Sequence, residues 1–429
     1  MGRFWGRWRD TLFVNFHHDR RKEMKMNRQV LSLFLCNLAI LFVGFGVFPL
    51  LPVYATQFGA TPSMIGVYLA LTYIAISLGT LLPGWLDRRI SQKVLFVSAG
   101  LSGVPALILL GHAAAFWQVV VLTAAVWFTG GVGIALVGVL TGRSAAAGQR
   151  GKWFSLIALT TPLGAVIGGS TVGWLVEQQG YTAMFSALGL VYALWPLTGL
   201  LLVTYEPGTQ TGTPRSRAVP GLRTDGRFSL LVWTILLVAM TISISRLGLS
   251  LTMKASQFSA AAISSTNVIG GLVTIPFVLG LGLLSDRIGH RLLLALACFL
   301  AGLSTLLLLR ADQLWHFWIV SAAVLVARSL SGSLASALAT DILTPEALPK
   351  ALPRLSSMNW VAGVLGFAGS GYVIETLGEN SLYWMATLFS LAAVAITGLM
   401  IRRSEASAQE KISPQREGLS PCPEGSSAD

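Results

Sequence analysis

The stretch Gly282-Leu-Leu-Ser-Asp286-Arg287-Ile-Gly289-His290-Arg291 forms a short basic turn between two long apolar segments of the chain. A weaker copy, Gly84-Trp-Leu-Asp87-Arg88-Arg89-Ile90-Ser91-Gln92-Lys93, lies roughly 200 residues earlier, also between two apolar segments. Apolar segments joined by Lys- and Arg-rich turns are typical of helices that cross a membrane. Two copies half a chain apart therefore predict a duplicated membrane protein.

The composition restricts the class of protein. Hydrophobic residues make up 54% of the 429 residues and charged residues only 11%, against about 25% charged residues in soluble domains. We predict an all-α membrane protein with twelve transmembrane helices in two pseudo-symmetric six-helix halves, because stretches of the ~20 apolar residues needed to cross a bilayer recur along the chain. The predicted spans are 29–53, 61–86, 93–112, 115–141, 153–177, 182–204, 228–251, 263–285, 291–310, 315–341, 356–375 and 381–401.

The halves and their flanking segments follow from these spans. The first half covers 29–204 and the second covers 228–401, with a Pro-, Gly- and Thr-rich cytoplasmic linker at 205–227. Residues 1–28 are a basic cytoplasmic arm, either an interfacial amphipathic helix or a disordered segment. The polar stretch 402–429 lacks an apolar period, and we expect a disordered cytoplasmic tail there.

The net charge of +12 is explained by membrane topology. Of the 30 Lys and Arg residues, 26 fall in the termini and in alternate connections, whereas the opposite side carries only Lys254 and Arg310. This bias predicts that both termini are cytoplasmic, in a multi-pass protein of the inner or plasma membrane. Contact with anionic lipids at the cytoplasmic face is compatible with it, and nucleic acid is not needed as a partner. The N-terminus lacks the pattern of a cleavable signal peptide.

Two further pairs of matching segments support the duplication. Gln57-Phe58 follows the first span as Gln257-Phe258 follows the seventh, and the segment 173–180 matches 371–378 at the ends of the fifth and eleventh spans. The offsets are nearly the same as that of the two basic turns. Parallel repeats of this kind are known in membrane transporters.

The basic turn resembles the signature loop of the major facilitator superfamily of transporters. The resemblance implies alternating access, with such loops latching the two halves on the cytoplasmic side. The first copy departs from the pattern at Ile90 and Ser91, so its gate is weaker or uses Arg89 and Lys93. A positive loop that only fixes topology is the alternative. The residues that match the motif, and to which the resemblance assigns a gating role, are Gly84, Asp87, Arg88, Gly282, Asp286, Arg287, Gly289 and Arg291.

The fifth and eleventh spans are rich in small residues. Small residues three and four positions apart let membrane helices pack closely, and proline lets them bend. The fifth span resembles the Gly- and Pro-rich helix of the superfamily's drug exporters, although its proline is displaced from their pattern. The predicted packing and bending residues are Pro162, Gly164, Gly168, Gly169, Gly366 and Gly369.

Charge inside the spans is the most informative signal for a binding site, because such charge is costly and usually functional. None of the eighteen acidic residues falls in the middle of a span, whereas Arg246 and Arg328 fall inside spans. For Arg246 we favour a side chain that snorkels to the membrane surface. Arg328 is too deep for that, which favours a cavity or packing role. Its Arg-x-x-Ser-Gly pattern resembles the superfamily's proton-coupling motif, which belongs in the fourth span.

Polar and aromatic residues within the spans complete the set of cavity candidates. Each has packing or contact with lipid as its alternative role. The candidates for a solute cavity are Asn37, Tyr73, Trp127, Thr161, Arg246, Asn267, Arg328, Asn359 and Trp360.

Function is expected to be alternating-access transport of a small solute, with efflux of drug-like or organic-anion compounds favoured. One alternative is uptake or exchange of a small anionic metabolite, since two buried cations favour anions. Another is a non-transporting receptor or membrane-complex assembly factor on the same scaffold. Catalytic motifs and paired cysteines are missing from the sequence, so we expect no enzyme, no cofactor and no metal site. We expect a monomer, as is usual in the superfamily.

Overall fold

The computed structural model describes residues 29–86, 89–144, 150–202, 226–344 and 347–417, and these are almost entirely helical. Ten helices in this part of the chain are long and apolar enough to cross a membrane. The first is interrupted by a 3-10 turn at Phe48–Leu50. The ten helices are α1 (Gln29–Thr56), α2 (Pro62–Leu86), α3 (Gln92–Leu110), α4 (Phe116–Ser144), α5 (Trp153–Gly199), α6 (Gly226–Ala255), α7 (Ala260–Ile288), α8 (His290–Leu308), α9 (Leu314–Ile342) and α10 (Leu348–Glu417).

The all-helical membrane fold agrees with the sequence, whereas the number of separate helices among the described residues is ten rather than twelve. The apolar segments of α5 and α10 are 47 and 51 residues long, about twice the ~20 residues that cross a bilayer. Each contains one non-helical residue, Gly180 (φ 80°, ψ 176°) and Gly378 (φ 82°, ψ 167°). A positive φ favours glycine. In each long helix a glycine thus occupies the position where a connecting loop was expected. We call the parts before and after this glycine the first arm and the second arm of the helix.

The tail also differs from expectation. Helix α10 continues to Glu417, so the first part of the segment 402–429 is helical rather than disordered. Arg, Glu, Ala, Gln and Lys are frequent between 402 and 417, and these are good helix formers. The arm 1–28 and nearly all of the linker 205–227 lie outside the described residues.

Two pairs of helices carry most of the contact between the halves. The first arm of α10 packs against α2, where a Cβ placed on Gly66 would lie 2.9 Å from the Cα of Gly371. The first arm of α5 packs against α7, where a Cβ on Gly173 would lie 2.7 Å from the Cα of Ala261. Glycine at these crossings lets the backbones meet without side chains between them.

These contacts lie toward one end of the bundle. We call it the acidic end, because Glu177, Glu375 and Glu379 lie there; the basic end carries Arg89, Arg287 and Arg291. At the acidic end the carboxylate of Glu375 accepts a hydrogen bond from the backbone N of Ser63, at 2.9 Å, and Glu177 accepts from the backbone N of Ala261, at 2.8 Å. Both bonds join opposite halves, so the bundle is closed at the acidic end.

Candidate functional site

A cavity with an empty volume of about 700 Å³ lies between the halves. Ile134 on α4 and Arg328 on α9 line the cavity. Gly138 lies one turn beyond Ile134, and Gly332 lies one turn beyond Arg328. A Cβ at Gly138 or at Gly332 would meet nothing within 4 Å. Both positions lie toward the basic end, so there is open space beside α4 and α9 on that side of the lining residues.

Five of the candidates predicted from sequence line this cavity. They are Tyr73 on α2, Trp127 on α4, Arg246 on α6, Arg328 on α9 and Trp360 on the first arm of α10. Both halves therefore contribute to the cavity, with the two arginines on the second half.

Arg246 reaches across to the first half. Its guanidinium carbon lies 3.6 Å from the centroid of the Phe48 ring, and its Nη1 donates a hydrogen bond to Tyr73 Oη at 3.2 Å. The favoured reading, a side chain that snorkels to the membrane surface, is therefore wrong for Arg246. A ring face and a hydroxyl inside the bundle offer the cation stabilisation that only the bilayer surface was expected to provide.

The local fold of α1 places Phe48 for this contact. Pro49 has no backbone N–H to continue the α-helical bonding, and the chain forms a short 3-10 turn over Phe48–Leu50. The Phe48 ring lies 5.7 Å from that of Phe367 and 6.3 Å from that of Tyr73, centroid to centroid. Tyr73 also packs edge-on against Phe367 at 4.9 Å and Trp360 at 5.9 Å. An aromatic cluster from both halves thus surrounds the Arg246 site.

Arg328 differs from Arg246 in having no such partners. Its side chain is exposed to the cavity, and among the described residues it makes no hydrogen bond or ion pair. Farther along the same face of α9, Gly332 and Ser336 are also exposed. Arg328 lies close enough to Arg246 for the two charges to repel each other. The cavity therefore holds one fixed and one unpaired cation.

The wall formed by the first half is mostly apolar, and sequence reasoning missed it. An apolar side chain that faces a cavity has the same sequence signature as one that faces lipid or the core, so these residues carried no distinguishing signal. The lining residues not predicted from sequence are Ile40, Leu41, Val43, Gly44, Phe45, Phe48, Ile76, Val126, Gly130, Ile134 and Tyr192.

Four candidates lie elsewhere. Asn37 is buried within the first half and donates from Nδ2 to Thr160 Oγ1 at 2.6 Å. Asn267 donates to the backbone oxygen of Phe45 at 2.6 Å and lines a smaller cavity beside Arg246. Thr161 and Asn359 are half-buried and are not among the residues that line either cavity. Asn37 and Asn267 therefore act in helix contacts in this conformation.

The predicted gating residues are only partly described. Asp87 and Arg88 lie outside the described residues. Gly282 and Asp286 belong to α7, but their surroundings are not described. Gly289 separates α7 from α8 with φ 87°, a conformation that suits glycine. Arg287 is exposed, and Arg291 lines a shallow pocket with His290 and Asp341, whose side chains are 3.0 Å apart.

The first copy of the turn is built differently. The residue that precedes α3, as Gly289 precedes α8, is Ser91, which is extended (φ −63°, ψ 141°) and caps α3 by accepting from the backbone N of Val94. Gly84 is exposed, and a Cβ there would meet nothing within 4 Å. The helix after the turn is therefore preceded by a glycine in the second half and by a capping serine in the first half.

Most of the predicted packing residues lie at helix crossings. Cβ atoms at Gly164 and Gly168 would overlap the backbone of α1, and one at Gly169 would overlap α7. The backbone oxygen of Pro162 lies 2.9 Å from a Cβ placed on Gly271 of α7. In α10, Gly366 packs against α6, whereas a Cβ at Gly369 would meet nothing within 4 Å.

Carboxylates stay at the ends of the helices. Among acidic residues whose side chains are described, Glu177, Asp312, Asp341, Glu375 and Glu379, none lines the cavity. No cluster of His, Cys, Asp and Glu that could hold a metal ion occurs among the described residues. The charge among the lining residues of the cavity is therefore that of two arginines, Arg246 and Arg328.

Membrane-spanning helices in two halves that together line one cavity are the arrangement of a membrane carrier. The family model described as Major Facilitator Superfamily matches residues 33–254 and 228–425. The chain belongs to the major facilitator superfamily of transporters.

The chain is also similar to multidrug resistance proteins. It is 23% identical over 270 residues to the Multidrug resistance protein MdtG of Citrobacter koseri, covering 59% of this chain and 66% of that protein. The protein of the same name from Salmonella arizonae matches with the same identity and coverage. The match thus spans just under two thirds of these relatives' own length.

Solved transporter structures share the fold. The POT family transporter PepTSo superposes with a TM-score of 0.72 at 11% identity, covering 88% of this chain and 98% of that one. The peptide transporter POT in complex with sulfate gives 0.70 at 15% identity, covering 87% and 95%. A mutant of the nucleoside transporter NupG gives 0.72 at 14% identity, covering 87% and 99%.

Proposed function

We propose that this protein is a secondary active transporter that exports small drug-like or organic-anion compounds by alternating access. The observation that carries the proposal is a cavity lined by both halves of a bundle whose halves are joined at the acidic end, with open space beside α4 and α9 toward the basic end. A central site reached from one side at a time is the arrangement that alternating access requires. Similarity to multidrug resistance proteins supports export.

We further propose twelve crossings, with the basic end in the cytoplasm of a cell whose inner or plasma membrane holds the protein. Gly180 and Gly378 would each join two crossings, which adds two to the ten separate helices. The concentration of Lys and Arg at one side supports the orientation. In this orientation the described conformation faces inward, and a solute enters from the cytoplasm. The parts at 29–204 and 228–401 would be the rocking halves of a monomer.

An uptake or exchange carrier for a small anionic metabolite is the second candidate. Arg246 and Arg328 in one cavity favour it, since neither faces a described carboxylate. The third candidate is a non-transporting receptor or assembly factor. It would have the same cavity but would carry no solute across the membrane.

Purified protein in liposomes tests the proposal. A panel of drug-like, organic-anion and small-anion solutes is loaded on one side, and flux is measured with and without a pH gradient. We expect flux of at least one amphipathic solute and a weak response to the pH gradient, because no described carboxylate faces the cavity to carry a proton. Flux that follows the pH gradient strongly would contradict proton-independent transport and point to a helix-end acid such as Asp341.

The gating turn gives the matched variant. Replacing Asp286 by Asn removes the charge that the family motif assigns to the latch, and we expect solute flux to fall while the protein still inserts in the membrane. Thr340→Ala changes an exposed residue of α9 that also lies near the basic end. It is the control and should leave the solute flux unchanged. Absence of flux for every solute in the unaltered protein would support the non-transporting candidate.

A further inference from the structure

The cavity has two walls of different chemistry. Both cations, Arg246 and Arg328, project from the second half, whereas the opposite wall is mostly aliphatic and aromatic and includes Ile40, Val43, Trp127 and Ile134. A solute that contacts both halves at once therefore meets charge on one side and an apolar surface on the other. This division restricts the solute more than the class of transporter does.

The charged wall calls for an anionic group. Guanidinium groups bind carboxylate, sulfonate and phosphate oxygens with two parallel hydrogen bonds. Arg246 has partial compensation from Phe48 and Tyr73, but neither is an anion. Arg328 has no described polar partner and is repelled by Arg246. An anion bound between Arg246 and Arg328 would pair with both positive charges.

The apolar wall calls for a hydrophobic body. Its residues extend along α1 and α4 and present aliphatic and aromatic side chains to the cavity, as is usual for sites that bind organic compounds. A small hydrophilic anion would satisfy the arginines and leave Trp127 and Ile134 without contact. A neutral aromatic compound would cover that wall and leave both charges unpaired.

We propose that the site takes an amphipathic organic anion, with its anionic group at Arg328 and Arg246 and its apolar body against Trp127 and Ile134. This assignment rests on the proposed transport function for its physiological meaning and on the cavity alone for its chemistry. Arg328 is the group that engages the anion, because its side chain is unpaired. Arg246, already fixed by contacts with the first half, supplies the second positive charge.

Three matched probes test the assignment by calorimetric titration of the full-length protein in a nonionic detergent. Naphthalene-2-sulfonate has the anion and the body, naphthalene-2-sulfonamide has the body without the charge, and methanesulfonate has the charge without the body. We expect the first to bind most tightly. Arg328→Gln should weaken its binding by about tenfold to a hundredfold, the loss typical of a charge-assisted hydrogen bond, and should leave the sulfonamide nearly unchanged.

Two variants control for folding and for overall charge. Arg328→Lys keeps the charge and should retain most of the affinity for the sulfonate. Arg310→Gln removes an exposed cation at the acidic end, outside the cavity, and should change nothing. Any one of three results would overturn the assignment. The sulfonamide or methanesulfonate could bind as tightly as naphthalene-2-sulfonate, or the Arg328→Gln protein could bind naphthalene-2-sulfonate with unchanged affinity.

A titration with lysophosphatidylglycerol separates a soluble anion from a lipid headgroup, and binding of this lipid without binding of the sulfonate would also overturn the assignment. Flux in liposomes separates the site from the transport proposal. A protein that binds naphthalene-2-sulfonate but moves no solute keeps the assigned site and loses the proposed function. A protein that moves neutral solutes and binds no sulfonate keeps the function and loses the site.

Discussion

At the scale of single residues, Arg246 is the side chain whose environment most changes its interpretation. It belongs to the second half, yet both of its described side-chain partners, Phe48 and Tyr73, belong to the first. The contact with Tyr73 joins residues 173 positions apart in the chain. In the proposed alternating-access cycle the two halves separate here, so we expect the contacts of Arg246 to favour the conformation closed at the acidic end.

Tyr73→Phe tests this role. The ring and its packing remain, but the hydroxyl that accepts from Arg246 is lost, and a hydrogen bond to a charged group contributes about 1.5–3 kcal/mol. We expect the acidic end to open more often. A cysteine at Ser264, which is fully buried between α5 and α7, reports the opening: its labelling by an impermeant maleimide should accelerate by about tenfold or more.

Tyr68→Phe is the matched control for that experiment. Its hydroxyl bonds to Thr123 Oγ1 at 2.9 Å, and both residues belong to the first half, so labelling at position 264 should stay at the unaltered rate. The reporter needs a background without Cys36, Cys298 and Cys422. Equal labelling of the Tyr73→Phe and unaltered proteins would show that Arg246 does not hold the halves together.

At the scale of helices, the acidic end is closed by two equivalent contacts. Glu177, at the end of the first arm of α5, accepts from a backbone N–H at the start of α7, and Glu375, at the end of the first arm of α10, does the same at the start of α2. A carboxylate at a helix N-terminus is stabilised by the unpaired N–H groups and the helix dipole. The repeat that the sequence revealed at 173–180 and 371–378 thus includes a pair of caps between halves.

Removing one cap should loosen this end. For Glu177→Ala we expect labelling of a cysteine at position 264 to rise roughly two- to fivefold, in line with a single charge at an exposed helix terminus. Glu375→Ala should act in the same direction, and the double variant more strongly. Glu379→Ala is the control, because Glu379 accepts from Thr252 within the second half. An effect of Glu379→Ala as large as that of Glu177→Ala would mean that charge near the membrane surface, rather than capping, is responsible.

The helix scale also limits what sequence could predict about the site. Tyr73, Trp127 and Trp360 were recognised as polar or aromatic residues in apolar spans, and they do line the cavity. Asn37 met the same criterion but bonds to Thr160 inside its own half. A sequence fixes the spacing of residues along a helix, but the rotation of that helix in the bundle depends on its neighbours. Phe48 and Ile134 were missed for the same reason.

At the scale of the whole molecule, the proposed alternating-access transport requires the acidic end to open and close. Joining cysteines at Ser63 and Glu375 with a short reducible cross-linker should hold the halves together, because these residues meet across the interface at 2.9 Å. We expect solute flux in liposomes to fall to the background of empty vesicles and to return after reduction.

Cysteines at Thr252 and Glu379, which meet at 2.8 Å within the second half, give the control pair. The same cross-linker there should leave flux intact, since no relative motion of the halves is blocked. Undiminished flux through the protein cross-linked between 63 and 375 would rule out rocking of the halves as the transport step.

The sequence by itself determined the membrane-spanning class, the family and the presence of two deep arginines, because apolar length, the doubled basic turn and intramembrane charge are local properties of the chain. Tertiary structure alone decided where those arginines point and which walls face them. Arg246 lies on an aromatic ring from the other half, and Arg328 has no hydrogen-bonding or charged side-chain partner in the part of the chain that the structure describes. Both facts depend on how helices distant in sequence are rotated and packed. Binding chemistry arises from groups brought together across that packing, which no single helix encodes.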